Sequence, residues 1–164
     1  MKLVSTDAPL SQLTLRKYES PENLSGRPLV KKLCLSLGLL QPGDSRDVVV
    51  DVLYVLLRAG GRKKELRVAE IEDQVTRNRE KNKLEMQGIA SSNIRRQLRR
   101  LRELFIIEKV KSTYRITEFA FLRQTYDSRV ESFILQNISA RVKQYLDRID
   151  SEFMRQEPAQ PTSS

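Results

Sequence analysis

ASSNIRRQLRRLRELFIIEKVKSTYRIT (residues 90–117) holds a helical pattern followed at once by a strand pattern. Ile94, Leu98 and Leu101 recur at i, i+4 and i+7, the spacing of one helix face, which predicts a helix over 91–104. At about 100° per residue the opposite side carries Ser92, Arg96, Arg99 and Glu103, flanked by Arg95 and Arg100. After Leu104 the run Phe105-Ile106-Ile107, with its two β-branched isoleucines, begins a strand, a tight turn falls near Lys111, and Tyr114-Arg115-Ile116-Thr117 returns. A helix pinned on one side, with arginines on the other, has the shape and charge to enter the major groove of DNA, about 12 Å wide. The plainer reading of the same charges is a solvated helix face. The rest of the chain bears on the choice.

The chain has 164 residues and a net charge of +9. Residues 58–115 contain 17 Lys/Arg against 8 Asp/Glu, so this segment holds the whole excess and the remainder is neutral. Such a localised basic field attracts a polyanion and releases its counterions. Arginine outnumbers lysine there, which suits two-pronged contacts to phosphate or guanine. A membrane surface would also need a strongly apolar face, which this segment lacks. The chain has no histidine and one cysteine, Cys34; a lone thiol forms no intramolecular disulfide, which fits a reducing compartment. No apolar run approaches about 20 residues, and MKLVSTDAPLSQLTL lacks a signal-peptide core, so a cytoplasmic location is expected.

Residues 1–26 read as a polar arm broken by Pro9 and Pro21. A helix and turn follow over 27–43, with Leu29, Val30, Leu33, Cys34 and Leu37 on one face and Gln41-Pro42-Gly43 as the turn. Cys34 has no histidine to activate it and reads as a buried small apolar residue. A buried helix starts at Asp44 or Ser45 and ends at Gly60-Gly61. Asp44, Asp47 and Asp51 raise the question of a metal, but no further ligand follows, so cap and solvated face are the expectation. Glu65-Leu66-Arg67 reads as a very short strand, and Val68, Ile71 and Val75 mark a helix through about Arg77. NREKNKLEMQG (78–88) fits either an extension of that helix or a loop. Gly88 with Ser91 or Ser92 then prepares the next helix start, whose free N–H groups suit a phosphate.

The order helix, short strand, helix, helix, two-stranded turn resembles the winged helix-turn-helix fold. SSNIRRQLRRLRELFIIEKVKSTYRIT is similar to the recognition helix and wing of the MarR- and ArsR-like prokaryotic regulators. Ile94, Leu98, Leu101, Ile106-Ile107 and Tyr114-Arg115-Ile116-Thr117 occupy the matching places over a resemblance spanning about 45–117. Two departures stand out: Phe105, where many relatives have glycine, and the charged insertion 78–88 in what is normally a tight turn. The implied fold class is mainly α: a winged-helix domain over 44–117 with a small two- to three-stranded wing sheet, flanked by an N-terminal helix and a long C-terminal helix. The resemblance implies a transcriptional regulator bound to double-stranded DNA. On this reading Ser92, Asn93, Arg96 and Arg99 reach base edges while Arg95, Arg100 and Arg102 bind phosphates. Lys109, Lys111 and Arg115 of wing 106–117 touch the adjacent backbone or minor groove.

Residues 118–154 contain no Pro or Gly and read as one long helix or two stacked pieces. Its stripe includes Leu122, Tyr126, Val130, Phe133, Ile138, Val142, Tyr145 and Ile149, and at 1.5 Å per residue it runs about 55 Å, more than a small domain covers. A homodimer through this stripe is therefore expected, in line with the flanking-helix dimers of the resembling families. A helix folded back on its own subunit is the competing arrangement. Residues 155–164 read as a disordered tail. No histidine, paired cysteines, phosphate-binding glycine loop or motif-placed carboxylate pair supports an enzyme, and no cofactor or metal is expected. No residue cluster marks an effector pocket. Two other functions compete: a protein-binding adaptor with the same fold, and an RNA binder, which the lack of aromatics between Leu84 and Leu104 disfavours.

Overall fold

A computed structural model describes residues 6–154; the expected tail 155–164 and the first five residues of the arm lie outside them. The chain is mainly helical, with one small antiparallel sheet. Its centre is α2 (Val48–Gly61), nine of whose fourteen residues are buried. The valine run has strand propensity, and each valine costs a helix about 0.5 kcal/mol relative to alanine. Full burial of each such side chain returns about 1.5–3 kcal/mol, so packing decides the matter. Around α2 pack α1 (Gly26–Ser36), α3 (Val68–Lys81), α4 (Ser91–Glu103) and strand β3 (Thr113–Ile116). Gly60 lets α2 and β3 approach closely: a Cβ there would lie 2.9 Å from Ile116 Cγ1.

The N-terminal arm is laid on the body at residues 14–16. Arg16 N–H donates to the Ser36 carbonyl (2.9 Å), and its guanidinium donates to the carbonyls of Leu35 and Leu40 at the end of α1. Gly38, at φ +70°, passes under Thr14, whose Cβ would sit 2.7 Å from a glycine Cβ. Cys34 is fully buried on α1, and burial pushes its thiol up to about 12, which leaves it an inert apolar filler.

Strand β1 (Leu66–Arg67) and strand β2 (Ile107–Val110) flank β3, giving the order β1-β3-β2. Leu66 pairs with Tyr114, Ile107 with Ile116 and Val110 with Thr113. Helix α3 extends through Lys81, and residues 82–90 form the loop to α4; both readings of 78–88 therefore hold in part. Helix α2 starts at Val48, later than expected, with Asp47 as the flanking residue.

A helical turn at Thr117–Phe119 contains two residues in the left-handed region, Glu118 and Phe119, so the C-terminal helix starts at Leu122 and not at 118. From there the chain is helical without a break to Met154: α5 (Leu122–Thr125), a wide-turned π segment (Tyr126–Leu135), α6 (Gln136–Ile149) and a second π segment (Asp150–Met154). Val130 is buried on the body, whereas no residue of α6 is buried. The helix thus leaves the body of the chain soon after Val130.

Asp44 is exposed and accepts from the Arg46 N–H, as expected, but the expectation of cap and solvated face is corrected for the other two aspartates. Asp47 and Asp51 are 5% and 0% exposed and meet Arg27 and Arg79 inside the protein.

Candidate nucleic-acid interface

Helix α4 is amphipathic as its spacing dictates. Ile94, Leu98 and Leu101 are fully buried against α2, while Ser92, Arg95, Arg96, Arg99 and Arg102 are exposed. Among the described residues none of these four arginines is paired with a carboxylate. Four guanidinium groups on about two turns therefore repel one another, and no carboxylate among the described residues is bonded to any of them. Lys109 and Lys111 are exposed beside them in sequence on the β2–β3 hairpin, Lys111 at the turn with φ +58°. Lys109 Nζ lies 5.7 Å from the Tyr114 ring centre.

Three of the expected contact residues are instead engaged inside the protein. Asn93 donates to the Gly88 carbonyl (2.6 Å) and accepts from Gln97 (3.0 Å), which fixes the entry of α4. Arg100 is half-buried and donates to Gln97 Oε1 at 2.9 Å; burial, then repulsion by Arg96, lowers its pKa from the ordinary arginine value. Arg115 is clasped between Glu108 (2.7 Å) and Glu65 (3.3 Å), with its guanidinium 5.0 Å from the Phe119 ring centre. It ties β3 to β2 and to the residue before β1, so its charge is already neutralised. A further arginine belongs with the exposed set: Arg46, on the α1–α2 connection, lines a groove of about 830 Å³ together with Arg96, Gln41 and Gln97. Irregular loops have no periodicity, so no pattern in the sequence could have paired Arg46 with Arg96.

The frame behind α4 is a buried ionic cluster. Arg79, 1% exposed, donates through Nη1 to Asp47 (3.0 Å) and Asp51 (2.6 Å), and through Nε to the Glu85 carbonyl (2.7 Å) in the loop before α4. Arg27 closes the cluster from α1 with bonds of 3.0 Å to Asp51, and Asn78 adds one of 2.8 Å. Burial on its own would raise the Asp47 pKa, but hydrogen bonds from Arg27 and Arg79 hold it below the ordinary carboxylate value. From the α3 side, the Ser91 hydroxyl donates to Glu72 at 2.6 Å. The signal for this cluster was a carboxylate, Asp51, in a helix apolar almost all round, where it must meet a cation.

The expected dimer residues divide. Leu122 and Tyr126 are half-buried and Val130 is covered by the body of the chain, which removes it from any exposed surface. Phe133 is half-exposed and meets Phe105 edge-on at 6.2 Å. Ile138 is partly covered, while Val142, Tyr145 and Ile149 are exposed, together with Leu146 and Phe153 of the same apolar stripe.

Comparisons of the chain with protein-family models, curated proteins and solved structures returned no match. Among the described residues no group of His, Cys, Asp and Glu is placed to hold a metal, and no helix is long and apolar enough to cross a membrane.

Proposed function

We propose that residues 44–117 form a winged helix-turn-helix domain, similar to those of MarR- and ArsR-like regulators, and that the chain is a homodimeric transcriptional regulator binding double-stranded DNA. The observation that carries this reading is the row Arg95, Arg96, Arg99 and Arg102, exposed and without carboxylate partners on a helix pinned by its other face. The phosphodiester backbone supplies the missing counter-charge, and base edges in the major groove supply acceptors for Arg96 and Arg99. Lys111 takes the adjacent backbone. The dimer reading rests on Val142, Tyr145, Ile149 and Phe153, each at least half-exposed on a helix that its own body does not cover.

Fluorescence anisotropy with a duplex of about three helical turns, titrated at low and at physiological salt, tests the proposal. Binding that weakens steeply with salt, and that falls in Arg95→Ala/Arg102→Ala, is expected. Absence of binding even at low salt would instead favour an adaptor whose arginine row meets an acidic protein surface. Light scattering reads the dimer directly, and a monomer at micromolar concentration would remove it.

A further inference from the structure

The basic residues of this protein form a second group, on a face that α4 does not reach. Arg58 and Arg62 at the end of α2, Lys64 just after it, and Arg77 and Lys81 on α3 line one cleft, with Tyr54 at its wall. At about 100° per residue, Arg77 and Lys81 project from the side of α3 opposite Glu72, the residue that touches α4 through Ser91. No residue of α4 or of the β2–β3 hairpin lines the cleft, and neither does any carboxylate.

Among the described residues Arg58, Arg62, Lys64 and Lys81 have no carboxylate partner. Arg77 has one, Asp73, at 3.1 Å, but that i,i+4 pair is open to solvent and worth little. The Arg58 guanidinium sits 5.8 Å from the Tyr54 ring centre. Asn78 lines the cleft too, held by its bond to the buried Asp51, so this part of the lining is rigid. Five cations drawn into one concavity repel one another unless an anion of high charge density joins them. The volume, about 260 Å³, is just below the roughly 300–1,000 Å³ of pockets that bury drug-sized ligands, a size suited to a compact anionic group.

We propose that this cleft is a binding site for a chain of phosphates, the chemistry shared by free oligophosphates and nucleoside polyphosphates, separate from the α4 face. Arg58, Arg62 and Arg77 offer forked donors to successive phosphate oxygens, and Lys64 and Lys81 add point charges. This site goes beyond the DNA reading and does not depend on it.

Calorimetric titration of the full chain with inorganic triphosphate, at about 0.15 M salt, tests it. The wild type is expected to bind saturably, and Arg62→Ala/Lys81→Ala to lose at least about tenfold in affinity. Both side chains are exposed, and Arg62→Lys/Lys81→Arg keeps the charges and should recover most of the binding. Arg95→Ala/Arg99→Ala should bind triphosphate as the wild type does. ATP bound like triphosphate, with AMP about tenfold weaker or worse, assigns recognition to the phosphate chain. The proposal is overturned by no saturable binding to the wild type, by AMP binding as well as ATP, or by loss in the α4 variant with none in the cleft variant. Equal loss of duplex binding in the two variants would also overturn it, by making the cleft part of one DNA track.

Discussion

Arg79 Nη1 lies 2.6 Å from Asp51 Oδ2, with both side chains closed to solvent, and this contact joins α3 to the central helix directly behind the loop that launches α4. The same guanidinium holds the Glu85 carbonyl, so one side chain serves both the core and the approach to the candidate interface. Removing it strands two carboxylates that only Arg27, Lys31 and Asn78 would still meet. Arg79→Leu should therefore destabilise the protein by about 3–5 kcal/mol in urea unfolding, the range for breaking one side of a buried ion pair. A loss under about 1 kcal/mol would mean that the cluster carries little of the fold.

Acid should act through the same cluster. Asp47 is held below its ordinary value of 3.8 in the folded chain, so the unfolded chain takes up the proton more readily and protonation favours unfolding. Its contribution is fully present above that ordinary value and is lost as pH falls through the lowered one. Glu108 has the same sign: burial opposes the shift, and the Glu118 N–H and Arg115 overcome it, though its partial exposure makes it the smaller contributor. Urea midpoints measured from pH 6 down to about pH 3 should drop, and Asp47→Asn should flatten that drop. An unchanged slope in Asp47→Asn would assign the acid sensitivity elsewhere.

Phe105 stands in the left-handed region at φ +60°, just past the end of α4, while its ring meets Phe133 and the Arg129 guanidinium lies 5.5 Å away. A non-glycine residue there costs about 1 kcal/mol or more, which the ring contacts offset. Phe105→Gly removes both strain and contacts; Phe105→Ala keeps the strain and removes the contacts. Thermal unfolding should therefore place glycine above alanine, by about 1 kcal/mol. Alanine equal to or above glycine would contradict this account of the junction.

On the hairpin, Lys111 and Arg115 should separate by function. Lys111 is exposed at the turn, so Lys111→Ala should weaken binding to every duplex alike and lower the salt slope by about 0.9. Arg115 is already paired with Glu108 and Glu65, so Arg115→Ala should lower stability and leave the salt slope nearly unchanged. A full unit of slope lost in Arg115→Ala would show that the clasp opens on DNA.

Much of this architecture was legible because periodicity reports burial. Ile94, Leu98 and Leu101 occupy the buried face of α4, and the turn between β2 and β3 falls at Lys111-Ser112, as their spacing and residue types require. What spacing does not report is partnership across the chain. Asp51 meets Arg79 from 28 positions away and Arg115 meets Glu65 from 50, so a charged residue's sequence neighbours say nothing about whether it is spent internally. Spacing alone therefore places Arg115 and Arg100 beside Arg96, although they face partners of their own. The C-terminal helix shows the converse limit. Its stripe is continuous in the sequence, yet the body covers Val130 and leaves Val142 bare, a division set by the length of the body.

Whether the outward arginines of α4 read double-stranded DNA is decided by selection from a random duplex pool, with wild type and Arg96→Ala in parallel. The wild type is expected to enrich a two-fold symmetric motif with half-sites roughly 10 base pairs apart, and Arg96→Ala to relax preference at one base position per half-site, a loss of about 1–3 kcal/mol there. No enrichment by the wild type, or an identical motif from Arg96→Ala, would contradict the DNA reading.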